Sequence, residues 1–206
     1  MSRGYFITLE GLEGVGKTTN LTFILNWLKH KQRPFYQTRE PGGTPLAEEI
    51  RHMLLAHRAE PMSAMSELLL VFAARAQHLT EVIRPKLAAG QWVVSDRFTD
   101  ASYAYQGAGR GLDVAAIERL EQLVHGDLQP DLTLLLDAPI EIGLARAKAR
   151  SAADRFEQEQ ADFFTRARAA YLSRAQQSPN RFRVIDASQS LEQVQIEIAQ
   201  ALDTLL

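Results

Sequence analysis

Residues Gly11 to Thr18 read Gly-Leu-Glu-Gly-Val-Gly-Lys-Thr and fill the pattern G-x-x-x-x-G-K-[ST] without a gap. Side chains of these types at this spacing serve one chemistry, the holding of phosphate. Glycines let backbone N–H groups curl around phosphate oxygens with no Cβ in the way. A helix that starts where the loop ends adds unsatisfied N–H donors and the positive end of its dipole. Lys17 supplies a full charge for β- and γ-phosphates, and the Thr18 hydroxyl can ligate the Mg²⁺ that accompanies them. The loop implies nucleotide binding. It does not separate a kinase from a GTPase or a motor.

Other charged residues sit where they could complete such a site. Asp96 ends the apolar run Trp92-Val-Val-Ser-Asp96. A carboxylate at the C-terminal end of a buried strand faces the ligand crevice of a parallel sheet and could position Mg²⁺. Arg97 follows it, and the two could instead form a structural salt bridge. Asp137 ends another apolar run and either supports the site or simply suits the turn before Pro139. Glu13 lies inside the phosphate loop, where it would repel a triphosphate unless it faces an acceptor, a metal or solvent. Arg39, Arg51 and Arg75 precede this region, and Arg146, Arg150 and Arg155 cluster around a short polar stretch. Moving a phosphoryl group between two phosphorylated molecules brings many anionic oxygens together, and arginine's planar, permanently charged fork suits that task. The last cluster could also be a solvated helix face.

The elements that must carry these residues alternate. Apolar runs at Tyr5–Glu10, Phe35–Thr38, Trp92–Asp96, Leu132–Asp137 and Phe182–Asp186 read as strands. Helical patterns cover Thr18–Lys31, Pro45–Ala56, Ser63–Ala89, Val114–Val124, Pro139–Arg150, Gln158–Gln177 and Leu191–Leu206. This alternation predicts an α/β fold, a parallel sheet covered on both faces. The chain has 206 residues, enough for one domain with a substantial core. Its formal net charge of −2 argues against a nonspecific nucleic-acid binder. The absence of cysteine excludes disulfides and thiolate-metal sites. No apolar run reaches the length of a membrane span, and Met1 to Gly4 leads straight into a strand-like run. No membrane segment and no signal peptide are therefore expected, and the cytoplasm is the expected location.

Taken together, these blocks resemble bacterial thymidylate kinases. The resemblance is carried by Glu10-Gly11-Leu-Glu13-Gly-Val-Gly16-Lys17-Thr18-Thr19 and by Thr38-Arg39-Glu40-Pro41-Gly42-Gly43-Thr44. It continues through Asp96-Arg97-Phe98-Thr-Asp100-Ala-Ser102-Tyr-Ala-Tyr105-Gln106-Gly107, Gly109-Arg110-Gly111, Pro130-Asp131-Leu-Thr133 and Asp154-Arg155-Phe156-Glu157. These blocks keep the family's order from residue 5 to about residue 187.

The resemblance implies a single P-loop domain over residues 1–206. Its fold would be a three-layer sandwich with a central parallel sheet of about five strands and a small flap, or lid, at about 146–157. It implies transfer of the γ-phosphoryl of ATP to dTMP with Mg²⁺, with these two small molecules as substrates, no nucleic-acid or membrane partner, and a second copy of the chain in a homodimer. Gly11, Leu12, Glu13, Gly14, Val15, Gly16, Lys17, Thr18 and Thr19 would bind ATP, with Thr18 and Asp96 at the metal. Arg97 would hold the acceptor phosphate, with Arg39 nearby and Arg51 also on the acceptor side. Glu13 would approach the sugar 3′-hydroxyl, and the bulk of Tyr105 would disfavour ribonucleotides. Arg75, Ser102 and Gln106 would contact the base.

Many relatives place the stacking phenylalanine four residues before the base-reading arginine. That position is Val71 here, so Phe72, three residues before Arg75, is the candidate ring, unless it is an ordinary core residue. The family's catalytic arginine lies either in the phosphate loop, at the position of Gly14, or in the flap. With glycine at 14, the flap arginines Arg146, Arg150 and Arg155 match the second layout, and Arg150 is favoured to reach the transferred group. A kinase for another small acceptor and a nucleotide-dependent switch or assembly ATPase remain as alternatives.

Overall fold

Residues Phe6–Glu10 (β1), Phe35–Arg39 (β2), Trp92–Asp96 (β3), Leu132–Asp137 (β4) and Phe182–Asp186 (β5) form one sheet in the order β2-β3-β1-β4-β5. Every neighbouring pair is parallel. The structure is a computed structural model and describes residues 3–57, 59–148, 155–156 and 159–206. The helices are α1 (Lys17–His30), α2 (Pro45–Leu55), α3 (Ala64–His78), α4 (Arg84–Ala88), α5 (Thr99–Ser102), α6 (Val114–His125), α7 (Ile140–Lys148), α8 (Ala161–Gln177) and α9 (Leu191–Asp203).

Residues of β1 and β3 alternate between two cores, as the two-residue period of a strand requires. Ile7, Leu9 and Val94 pack with Ile24 and Leu28 of α1, Phe164 and Tyr171 of α8, and Ile198 of α9. Phe6 and Val93 pack on the other face with Leu79, Ile83, Leu87 and Phe98. The three-layer α/β sandwich expected from the sequence is the fold observed.

Two stretches depart from the expected elements. Ser63–Ala89 is not one regular helix: α3 passes through a wide π turn, Leu79–Ile83, before α4. Pro85 explains it, because its ring would strike the carbonyl four residues earlier in a regular helix and it has no N–H to donate. Thr99–Gly109, read only as a motif block, is helical: α5 widens into a second π segment, Tyr103–Gly109. Its glycines are weak helix formers. Here they serve close packing, since a Cβ on Gly109 would lie 2.5 Å from the Phe163 ring of α8.

Local signals end the helices that frame the site. Thr44 caps α2 by accepting from Ala47 N at 3.2 Å, with Pro45 in the first turn. Ser63 caps α3 by accepting from Ser66 N at 3.1 Å. The adjacent strands β2, β3 and β1 then deliver Arg39, Asp96–Arg97 and the phosphate loop to the same carboxyl end of the sheet.

Candidate active site

The phosphate loop opens α1 with its donors free. Gly16 stands at the N-cap with φ 91°, and no side chain caps the helix. The first N–H groups of α1 are therefore available to an anion. Lys17 Nζ lies across the loop, donating to Leu12 O at 2.8 Å and Gly11 O at 3.0 Å. Burial, followed by the neighbouring charge of Arg97, lowers its pKa to about 8. Gly14 has φ 75°, and a Cβ there would lie 1.9 Å from the carbonyl oxygen of Gly143 on α7. The loop has no room for a side chain at the position where the other family layout carries its arginine.

Glu13 turns away from the loop. Its Oε1 accepts from Arg97 Nη2 at 2.8 Å, and both its oxygens lie 2.9 Å from the Tyr105 hydroxyl that donates to them. The Arg97 guanidinium sits 4.6 Å from the centre of the Tyr105 ring. Arg97 itself has φ 69°, a left-handed conformation that costs a non-glycine residue about 1–2 kcal/mol. The turn is held by its neighbours: Arg97 N donates to Leu9 O, Ser95 Oγ donates to Arg97 O, and Phe98 N donates to Glu10 Oε1 at 2.7 Å. Tyr171 of α8 donates to the other oxygen of Glu10. Nothing in the sequence marked Glu10 beyond its place in a motif, yet it fixes the turn that aims Arg97.

Arg75 is almost fully buried and firmly oriented. Its Nε donates to Glu40 Oε2 at 2.6 Å, Nη1 to Ser102 Oγ at 3.1 Å and Nη2 to Phe98 O at 3.2 Å. Burial opposes ionisation of Glu40, but Arg75 and His78 outweigh it and hold that carboxylate below its usual range. His78 bridges Glu40 to Thr38. Glu40 and His78 are positioning groups that the sequence did not announce.

One cavity of about 300 Å³ collects most of the expected residues. Its walls include Glu13, Gly14, Gly16, Lys17, Thr18, Asp96 and Arg97, joined through Tyr105 to Arg75, Ser102 and Gln106. Arg39 and Arg51 also line it. Arg39 pairs with Glu48 at 2.8 Å, whereas Arg51 donates to Pro41 O. Burial and then the charge of Arg39 lower the pKa of Arg51 below its ordinary value. Crowded cations of this kind suit an anionic ligand. Asp96 Oδ1 is buried without a hydrogen-bond partner, and Thr18 lines the same cavity as Asp96. A free carboxylate oxygen and a hydroxyl are hard oxygen donors that fit Mg²⁺.

The rest of the expected set lies elsewhere. Phe72 does not line the cavity; it is buried with Leu68, Tyr103 and Ile117, its ring 4.6 Å from the Arg75 guanidinium. On an α-helix, residue 71 shares a face with residue 75, so Val71 forms the cavity wall and Phe72 supports Arg75 from behind. Among the described residues, Phe98 and Phe156 are the phenylalanines on the cavity wall. Arg146 donates to Ala187 O at 3.0 Å, beyond the end of β5. Arg155 donates to Leu54 O at 2.9 Å and to Glu67 Oε2 at 2.6 Å, on the α2–α3 side. Neither lines the cavity. Arg150 and most of the expected flap lie outside the described residues. Asp137 pairs with Arg168 of α8 through two contacts of 2.7 Å, a structural role.

Comparison with known proteins fits this arrangement. The family model described as "Thymidylate kinase" matches residues 9–198. Thymidylate kinase of Teredinibacter turnerae is 58% identical over 203 residues, which cover 98% of this chain and 99% of the relative. That of Ectopseudomonas mendocina is 59% identical over 203 residues, covering 98% and 97%. The crystal structure of thymidylate kinase from Ehrlichia chaffeensis is similar with a TM-score of 0.78 and 32% identity, covering 98% of this chain and 99% of that one.

Proposed function

We infer how this chain works from its family: it belongs to the thymidylate kinases, and it transfers the γ-phosphoryl group of ATP to dTMP, giving ADP and dTDP in the synthesis of dTTP. The observation that carries this reaction to individual residues is the cavity that joins the phosphate loop to a polar wall of Arg75, Ser102 and Gln106. Its cationic end suits two sets of phosphates, and its far end suits a base.

In this reading an oxygen of the acceptor phosphate attacks the γ-phosphorus, and the bond to the β-phosphate oxygen breaks. The acceptor oxygen is already anionic, so no general base is needed. The protein's work is positioning and charge neutralisation. Lys17 and the open N-terminus of α1 hold the donor phosphates. Arg97, aimed by its own backbone turn, holds the acceptor phosphate in line, and Arg39 and Arg51 add charge at the same end. Glu13 faces the sugar, and the bulk of Tyr105 disfavours a 2′-hydroxyl. Arg75, held on three sides, presents its remaining N–H groups to the base. Thr18 and Asp96 would hold Mg²⁺, which supplies charge neutralisation on the donor phosphates. Arg150 remains the proposed flap arginine, since Arg146 and Arg155 are engaged elsewhere. A homodimer is proposed as well: Met65 and Leu69 of α3 and Val114 and Leu123 of α6 are exposed apolar side chains, and a light-scattering mass twice the 23.1 kDa of one chain checks it. The cytoplasm is the proposed location. Among the described residues no helix is long and apolar enough to cross a membrane.

The test is ADP formation from ATP and Mg²⁺ with dTMP, dUMP, CMP, AMP, GMP and thymidine offered separately. Fast turnover with dTMP, weaker turnover with dUMP and negligible turnover with the rest are expected. Preference for another acceptor would overturn the assignment of the base wall.

A further inference from the structure

Glu67 has a fully buried side chain, yet it carries a charge that phosphoryl transfer as described above does not use. It lies on α3 one and two helical steps before Val71 and Arg75, so the three share a face, and the latter two line the acceptor cavity. A carboxylate only accepts hydrogen bonds. Oε1 accepts from Gln106 Nε2 at 2.8 Å and from Arg110 Nε at 3.3 Å. Oε2 accepts from Arg155 Nη2 at 2.6 Å. One buried group thus meets three separate segments: the second π segment, the loop after it, and residues 155–156.

Each contact has a consequence at the cavity. Gln106 lines it. Because Glu67 offers only acceptors, the Gln106 amide must turn its nitrogen toward Glu67 and its oxygen away, which fixes the face it shows a base. Arg155 is held by Glu67 and by Leu54 O together. The next residue, Phe156, is thereby set into the cavity wall, its ring 6.0 Å from that of Tyr105 and nearly perpendicular to it. Tyr105 in turn donates to Glu13, which pairs with Arg97. Arg110 closes the cluster by donating to Glu159 at 2.5 Å, just past the same stretch of chain.

We propose that Glu67 is a positioning residue that couples the acceptor-base wall, through Gln106, to the seating of Arg155 and Phe156 over the acceptor. Arg155 then acts as a latch rather than as a cation on the transferred phosphoryl group. The proposal builds on the dTMP kinase reading and adds to it a residue that touches neither substrate. Burying a carboxylate between two guanidinium groups is weak evidence for stability as such, because desolvation offsets much of the attraction. A role in orientation accounts for it better.

The experiment is steady-state kinetics of the full chain with dTMP and ATP varied in turn, for Glu67→Gln, Arg155→Gln and the double variant. Glu67→Gln keeps the shape and an oxygen for Gln106 but removes the charge that holds Arg155. Each single change is expected to raise the KM for dTMP about tenfold, equivalent to about 1.4 kcal/mol, while the KM for ATP stays within about twofold. The double variant is expected to match the worse single variant, because both break one contact. A merely structural Glu67 would lower kcat for both substrates without moving the KM for dTMP, and that result overturns the proposal. Multiplying losses in the double variant overturn it too. If Glu67→Gln does not fold, Arg155→Gln decides alone, since its side chain is partly exposed. Turnover of dTMP by the unsubstituted chain with unchanged variants sinks only this inference. No turnover of dTMP by the unsubstituted chain sinks the underlying reading as well.

Discussion

Burial and the Arg97 guanidinium bring Lys17 to about 8, so its charge is half lost at mildly alkaline pH, well below the ordinary lysine range. Nucleotide phosphates pull the other way, because they favour the ammonium form. Above pH 8, ATP binding must therefore bring a proton with it, and affinity must fall as pH rises. Calorimetry at pH 8.5 in buffers of different ionisation enthalpy is expected to show proton uptake on binding, and Lys17→Met is expected to remove it. A buffer-independent heat for the unsubstituted chain would show that Lys17 keeps its proton unaided. The lysine, the glycines and Thr18 were legible from the sequence because phosphate chemistry dictates their types and spacing. Glu10, Glu40 and Glu67 were not. Each is a carboxylate whose role comes from a partner far away in the chain, such as Phe98, Arg75 or Arg155. In the sequence Glu67 is simply an acidic residue in the first turn of a helix, where the dipole favours one anyway.

Between elements, the contact of the phosphate loop with α7 decides which arginine layout this chain can use. Gly14 and Gly143 meet backbone to backbone: a Cβ on Gly14 would lie 1.9 Å from Gly143 O, and one on Gly143 would lie 2.8 Å from Glu13 O. Gly14→Ala adds only that one carbon, in a left-handed conformation that already disfavours it. The combined crowding and strain cost about 1–3 kcal/mol. The variant is expected to melt lower and to bind ATP more weakly, as the loop is pushed off α7, with Gly14→Arg at least as impaired. An unchanged melting temperature and ATP affinity for Gly14→Ala would show that the loop yields freely and that the glycine is not required. The strands were readable almost to the residue because β1 and β4 are buried on both faces and so form continuous apolar runs. The wide turns at Leu79–Ile83 and Tyr103–Gly109 were not, because a proline marks a break without saying that the helix widens and continues, and the glycine segment answers to a tertiary contact. One accommodates Pro85 in a continuing rod, and the other brings Gly109 against Phe163.

The whole molecule has a titratable group in its second core that sets an acid limit. His125, at the end of α6, is completely buried, with its ring 4.8 Å from that of Phe98 and 6.0 Å from that of Phe72. Its Nε2 lies 2.9 Å from Thr99 Oγ1. Burial, and then the charge of Arg75, lower its pKa to about 4. The unfolded chain takes up this proton near pH 6.5. A depressed folded value means that the stability is fully present above 6.5 and is lost as pH falls from there toward 4, with no further loss below. Between pH 7 and pH 5 this amounts to about 2 kcal/mol. Glu10 works against it over the same range: burial and Asp100 raise its pKa to about 8, so its contribution grows as pH falls. The raw pH dependence of stability therefore mixes two opposing effects, and only a difference separates them. His125→Phe keeps an aromatic ring between Phe72 and Phe98 but cannot take up a proton, and Glu10 is common to both proteins. Urea unfolding at the two pH values is expected to show the unsubstituted chain losing about 2 kcal/mol relative to His125→Phe on going to pH 5. Parallel losses in the two proteins would mean that the core admits the imidazolium without penalty, and that acid sensitivity arises in the carboxylates instead.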